Sequence, residues 1–215
     1  MQRVRTVRRP ILIATLLITW AVAVAAGVGS LWKYETQAGP AVVTHAHWPA
    51  GAVVGLDSSR ANLLLWLHPH CPCSRATLGE LARVMTRCEG KIAATVFVLQ
   101  PPNKPQGWER TDLWFTAARI PGVTVVADAD GAEARRFGAS TSGHAMLYSA
   151  QGRLLFCGGI TAGRGHGGDN AGASAITALV RNHKPHQTSE QPARTAVFGC
   201  PLQDSTCTSE VSCPQ

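Results

Sequence analysis

The stretch ANLLLWLHPHCPCSRATLGELARVMTRC, residues 61–88, decides the fold. Ala61 to Leu67 is a short apolar run of the kind that makes a buried strand, and it runs straight into His68-Pro69-His70-Cys71-Pro72-Cys73. Ser74 stands where a helix cap belongs. Beyond it Leu78, Leu81, Val84, Met85 and Cys88 recur at intervals of three and four residues, which marks one buried helical face, and Gly90 stops it.

Working outward toward the C-terminus, Ile92 to Leu99 is β-rich and apolar, and the Pro-rich segment 101–107 ends it as a loop. A helix is expected over Thr111 to Ile120, with Asp112 in its first turn where negative charge suits the helix dipole. Val123 to Ala127 reads as a third strand, Asp130-Gly131 as a turn and Ala132 to Phe137 as a short helix. Ala145 to Tyr148 and Arg153 to Cys157, separated by Ser-Ala-Gln-Gly, read as a hairpin. A Gly-rich loop, 158–168, then leads to a last helix from Asp169 to Asn182. The order is βαβα(β)αββα, with parallel crossovers first and an antiparallel hairpin last. Residues 184–215 are polar, carry four prolines and three cysteines, and read as a tail with little core of its own.

Toward the N-terminus, residues 33–54 mix Gly, Pro, His and Trp without a helical period and read as a linker. Before it, Pro10 to Trp32 is 23 residues without one charge, and about 20 apolar residues suffice to cross a bilayer as a helix. We expect residues 1–10 as a basic cytoplasmic arm and 11–32 as a transmembrane helix, since Arg3, Arg5, Arg8 and Arg9 precede the span and the positive-inside rule keeps them in the cytoplasm. Trp32 sits where an interfacial anchor belongs. The competing reading is a cleaved signal peptide with an A-x-A site within Ala21 to Ala26. The apolar run is longer than a signal core, which favours a retained anchor, and both readings put residues 55–183 on the periplasmic, extracytoplasmic side as part of the cell envelope.

Charge supports that setting. Charged residues make up 15% of the 215-residue chain, against about 25% in an average soluble protein. The formal net charge of +7 is mostly the arm, because from Lys33 onward 16 Lys and Arg face 13 Asp and Glu. A nucleic-acid binder needs a basic face within the folded part, so no nucleic-acid partner is expected.

The element order, with cysteines between the first strand and its helix, resembles the thioredoxin fold over residues 55–183: an α/β fold with three layers, α/β/α, around a mixed sheet. The membrane-spanning segment adds a likeness to tethered redoxins. The pair HPHCPCS (68–74) and GGITAGRGHGGDNAG (158–172) resembles RedB-type membrane-anchored thioredoxin-like proteins. Three departures from the family stand out. Its C-x-x-C is here C-x-C, its cis-proline falls by alignment on Gly143, before His144, and the longer Pro/Thr pattern of peroxiredoxins is missing.

The resemblance implies a thiol–disulfide oxidoreductase with protein thiol or disulfide partners, no cofactor, and Cys71 and Cys73 as the reacting pair. His68, Pro69, His70, Pro72, Gly143 and His144 would support them. The chemistry is available, because a helix N-terminus lowers a cysteine pKa and the thiolate is the nucleophile. If Cys71 is the more exposed thiol, it attacks and Cys73 resolves. A C-x-C bridge closes a small ring in which ordinary disulfide geometry is hard to reach, so a remote resolving partner, Cys157 or Cys200, is the alternative. Metal delivery is a second reading, since His68, His70, Cys71 and Cys73, with His166 further on, offer imidazole and sulfur donors suited to copper. A third is a non-catalytic thioredoxin-like interaction domain with structural cysteines. The Gly158 to Gly168 loop is no Walker A motif and reads as a rim carrying Arg164, His166 and Asp169. Cys88 belongs to the core, and the odd total of seven cysteines leaves at least one thiol unpaired within the chain.

Overall fold

The computed structural model describes residues 3–40, 44–181 and 191–202, with side chains from residue 10 onward. The chain divides into two units, Met1–Gln37 and Ala38–Gln215. The first is a single helix, α1 (Arg3–Thr36), with Pro10 inside it. Its segment Pro10–Thr36 is long and apolar enough to cross a membrane, and none of its side chains is buried.

The second unit is a six-stranded mixed sheet with helices on both faces. Its strands are β1 (Ala61–Leu67), β2 (Ile92–Gln100), β3 (Val123–Ala129), β4 (His144–Tyr148), β5 (Leu154–Gly159) and β6 (Ala193–Arg194), in the order β3-β2-β1-β4-β5-β6. β1 pairs parallel to β2 and antiparallel to β4, β2 parallel to β3, and β4 antiparallel to β5. This is the thioredoxin-like arrangement, with β1 in the middle. Flanked on both edges and covered on both faces, β1 buries six consecutive side chains, which is why it reads as an unbroken apolar run rather than an alternation.

Alternate residues of β1 feed two cores. Leu63, Leu65 and Leu67 pack with Leu78 and Leu81 of α2 (Ser74–Arg87), Leu113 of α3 (Asp112–Ala118) and Ile176 of α5 (Ala171–Arg181). Leu64 and Trp66 face the other way, toward Phe137 of α4 (Ala132–Phe137), Phe97 and Tyr148. Asp128, at the end of β3, starts α4 by accepting the backbone N–H groups of Glu133 and Ala134 at 2.8 and 2.9 Å.

Four expectations need correction. Residues 44–54, read as linker, belong to the folded unit: Trp48 stacks edge-on against Phe137 and Tyr148 with centroids 5.3 and 5.2 Å away. Their backbone is strapped to the β4–β5 hairpin, Trp48 donating to Gly152 and Leu154 to Ala46. Ser74 is the first helical residue of α2 rather than its cap, and Cys73 holds the N-cap position. Gly158 and Gly159 complete β5 instead of opening a loop. The described part of the tail, residues 191–202, is not a coreless appendage either. β6 adds parallel to β5, and Leu202 is buried among Phe137, Ala139 and Met146. The short two-residue strand and Gly-Cys-Pro carry no hydrophobic period, so nothing in their spacing announces a packed segment. Cys207 and Cys213 lie outside the described residues.

Candidate functional site

The C-terminal end of β1 delivers the chain to α2 through successive tight turns. Cys71 donates its N–H to His68, Ser74 to Cys71 and Arg75 to Pro72, at 3.1, 3.1 and 3.4 Å. Each bond spans three residues, so the backbone rolls directly from extended strand into helix. Cys71 ends buried, 1% exposed, while Cys73 remains half-buried. This reverses the exposure order anticipated from the sequence. The segment that carries Cys200 passes beside this turn, where the Cys200 carbonyl accepts the Ser142 N–H.

Ser142 holds three pieces of chain together at this point. Its hydroxyl accepts the His68 N–H at 2.9 Å and meets the Ser74 hydroxyl at 2.9 Å. Its own N–H donates to the Cys200 carbonyl at 2.8 Å. One residue on, Gly143 donates to the Trp66 carbonyl at 2.7 Å. Gly143 has φ of 91°, out of reach of a proline ring fixed near −65°. The position aligned with the family's proline is therefore a left-handed glycine turn facing Thr77 and Phe198.

The electrostatics single out Cys71. The Cys200 thiol donates a hydrogen bond to its sulfur, and the Cys200 N–H, the Ser74 hydroxyl and the Cys73 N–H add theirs. Together they hold the Cys71 thiol far below an ordinary cysteine, against burial, which pushes it up. Cys73 is pushed up by burial and then by the charge on Cys71. Cys200 is pushed up by its hydrogen bond to Cys71, then by burial. These surroundings favour the thiolate at Cys71 and the neutral thiol at Cys73 and Cys200. Arg164, from the loop after β5, donates to the Gly199 carbonyl, and its positive charge favours thiolates at Cys73 and Cys200.

The remaining sequence candidates divide. Pro69 is buried, with its carbonyl accepting the Thr111 hydroxyl at 2.9 Å, and Pro72 is exposed. His68 Nδ1 accepts the His70 N–H at 3.2 Å, and both rings stand against Trp108, at 5.7 and 4.5 Å between centroids. Arg75 is paired with Asp112 at 2.6 Å, out on the surface. His144 is turned away from the cysteine turn. Its Nε2 lies 3.1 Å from the Cys157 sulfur, and burial followed by the Arg194 charge lowers its pKa to about 4. Cys157 therefore belongs to that buried pair and not to Cys71, and burial pushes its thiol up. His166 meets the Arg164 carbonyl at 2.8 Å. Among the described residues no three His, Cys, Asp or Glu side chains are grouped to hold one metal ion.

Two contributors escaped the sequence. Ser142 has no signal beyond its place in the turn, and Trp108 is hidden in a Pro-rich loop whose packing on the histidines is a tertiary matter. Cys200 was marked only by its Phe-Gly-Cys-Pro setting.

No family model matches the chain, and no curated protein matches it. Solved structures do. A hypothetical protein of Sinorhizobium meliloti superposes at a TM-score of 0.51 with 21% identity, over 77% of this chain and 93% of that one. An uncharacterized conserved protein of Geobacillus kaustophilus reaches 0.52 with 15% identity, over 78% and 92%. A secreted disulfide oxidoreductase of Mycobacterium tuberculosis gives 0.40 with 14% identity, over 60% and 84%. Likeness at these identities concerns the fold alone, and the chemistry is argued from the site.

Proposed function

We propose that the chain is a membrane-anchored thiol–disulfide oxidoreductase of the cell envelope, with Cys71 as nucleophile and Cys73 as its resolving partner. The observation that carries this reading is the placing of Cys71 where β1 rolls into α2, with Cys200, Ser74 and Cys73 groups that hold its pKa down. The RedB-type likeness of residues 68–74 and 158–172 points the same way.

The chemistry balances without a cofactor. The Cys71 thiolate attacks one sulfur of a protein disulfide, forming a mixed disulfide and releasing the other sulfur as a thiolate that takes a proton from water. Cys73, held as a neutral thiol, loses its proton and attacks Cys71. The second substrate thiol leaves, and the Cys71–Cys73 disulfide retains the oxidation state that the substrate gave up. Run backward, the same steps oxidise a dithiol. Arg164 lowers the cost of a thiolate at Cys73 during resolution. α1 supports anchoring, with the arginine arm inside and the thioredoxin-like unit outside the cytoplasm.

The test is the redox titration of the full chain in detergent micelles, with metal chelated, by alkylation and mass spectrometry across a glutathione series. A reversible two-electron transition involving Cys71, within the ~−120 to −270 mV span of exchange proteins, is expected. A Cys71 that neither exchanges with glutathione nor alkylates at neutral pH overturns the reading.

A further inference from the structure

The C-terminal segment does more than lie near the cysteines. From β6 onward it is fastened residue by residue: Thr195 donates through its hydroxyl to the Gly159 carbonyl at 2.8 Å, and Gly39 donates to Val197 at 2.8 Å. Arg164 grips Gly199. Then Ser142 donates to Cys200 and Leu202 to Ser140, at 2.8 and 2.9 Å, on either side of an antiparallel bridge between Thr141 and Pro201. The described segment thus runs antiparallel to the turn before β4, bridged there at Pro201, and brings Cys200 to the Ser142 N–H beside the cysteine turn. Those backbone groups of Ser140 and Ser142 are the ones an extended polypeptide would use to bring its own disulfide to Cys71. Cys200 and Leu202 of this same chain occupy them.

We propose that Cys200 is a third redox-active cysteine, and that a Cys71–Cys200 disulfide latches the C-terminal segment across the site, in place of a polypeptide substrate. The proposal rests on exchange at Cys71 as described above. The latch forms by internal exchange: the Cys200 sulfur, having given its proton to water, attacks the Cys71 sulfur of the Cys71–Cys73 disulfide. The Cys71–Cys200 bond forms, the Cys71–Cys73 bond breaks, and Cys73 leaves and is protonated. One disulfide is exchanged for another, so no further oxidant is consumed. The direction is favoured by geometry. Cys71 and Cys73 are two residues apart on a tightly turned backbone, where a bridge is constrained, whereas Cys71 and Cys200 come from separate segments that Ser142 ties together, its N–H on the Cys200 carbonyl and its hydroxyl on His68 and Ser74. A dithiol, or reduced glutathione, reopens the latch by attacking either sulfur.

The experiment uses the full chain in detergent, as wild type, Cys73→Ser and Cys200→Ser, equilibrated in an oxidised and reduced glutathione mixture, quenched with N-ethylmaleimide and mapped by proteolysis and mass spectrometry. Wild type and Cys73→Ser are expected to yield the peptide cross-linked between Cys71 and Cys200, and Cys200→Ser to lose it while keeping the Cys71–Cys73 bridge. If wild type carries only Cys71–Cys73, and Cys73→Ser carries glutathione on Cys71 with Cys200 alkylated or bonded elsewhere, the latch is overturned and exchange at Cys71 stands. If Cys71–Cys200 forms but Cys200→Ser never forms Cys71–Cys73, the latch bond stands, its route through Cys71–Cys73 is overturned in favour of Cys200 displacing glutathione from Cys71, and Cys73 loses its resolving role. A Cys71 inert to glutathione in all three chains removes both.

Discussion

The Gly199 backbone lies against the Ser142 carbonyl so closely that a Cβ on Gly199 would sit 1.9 Å from that oxygen. No side chain fits there. The register that sets Cys200 opposite Cys71 therefore depends on residue 199 having none. Gly199→Val should push the segment off the turn, raise alkylation of Cys200 by iodoacetamide and deprive Cys71 of its principal hydrogen-bond donor. Gly55→Ala, where a methyl meets open space, is the control. Equal alkylation of Cys200 in the two variants would show that the contact does not protect it.

The pH dependence of Cys71 follows from its donors. Because they hold its pKa down in the folded chain, the thiolate persists as pH falls below the ordinary cysteine value of about 8.5. Its alkylation rate should therefore stay on a plateau at neutral pH and drop only in acid. Cys200→Ala should move the inflection upward, and Ser74→Ala should do so by less. An inflection at the ordinary cysteine value in the unmodified chain would remove the electrostatic basis of the proposed nucleophile.

How far the sequence spoke depends on the range of the interaction. β1, α2 and the hairpin were legible because each announces itself within a dozen residues, by apolar runs, by helical spacing or by a turn. So was the crossing length of α1. What stayed hidden was every contact made by segments without periodicity. Trp48 packs against a core cluster from a stretch of Gly, Pro and His, and Leu202 joins that cluster from the tail. At the site, the Cys71 position was legible from its turn, but its electrostatic surroundings were not, because Cys200 lies far along the chain and no local pattern encodes its approach. His144 misled for a related reason. Alignment with a family turn fixes its sequence place, while its position in β4, opposite Trp66, sends the ring toward Cys157.

Buried His144 makes stability depend on acid. Its folded pKa of about 4 lies below the ordinary histidine value of 6.5, so the unfolded chain binds this proton first. Its contribution is complete above pH 6.5 and is lost as pH falls toward 4, by up to about 1.4 kcal/mol per pH unit within that window. Urea unfolding of wild type and His144→Gln at several pH values checks this. Parallel pH profiles for the two chains would contradict it.

Leu202 offers a stability test of the tail. It is 3% exposed and packs with Phe137 and Met146, so Leu202→Ala should cost about 2–5 kcal/mol, the range for a buried leucine. A reading by urea midpoint near zero would mean that the segment merely rests on the sheet.

Gly158 and Gly159 of β5 face the same segment, where added Cβ atoms would fall 2.2 Å from the Thr195 hydroxyl oxygen and 2.5 Å from the Ala196 carbonyl oxygen. They form a bed kept empty for residues 195–197 to lie on. A lineage that lost this segment would lose the reason for the emptiness, and larger residues at 158 and 159 would then be free to accumulate. Bare positions and covering segment should be inherited together or discarded together, so the history of residues 195–197 is written in β5.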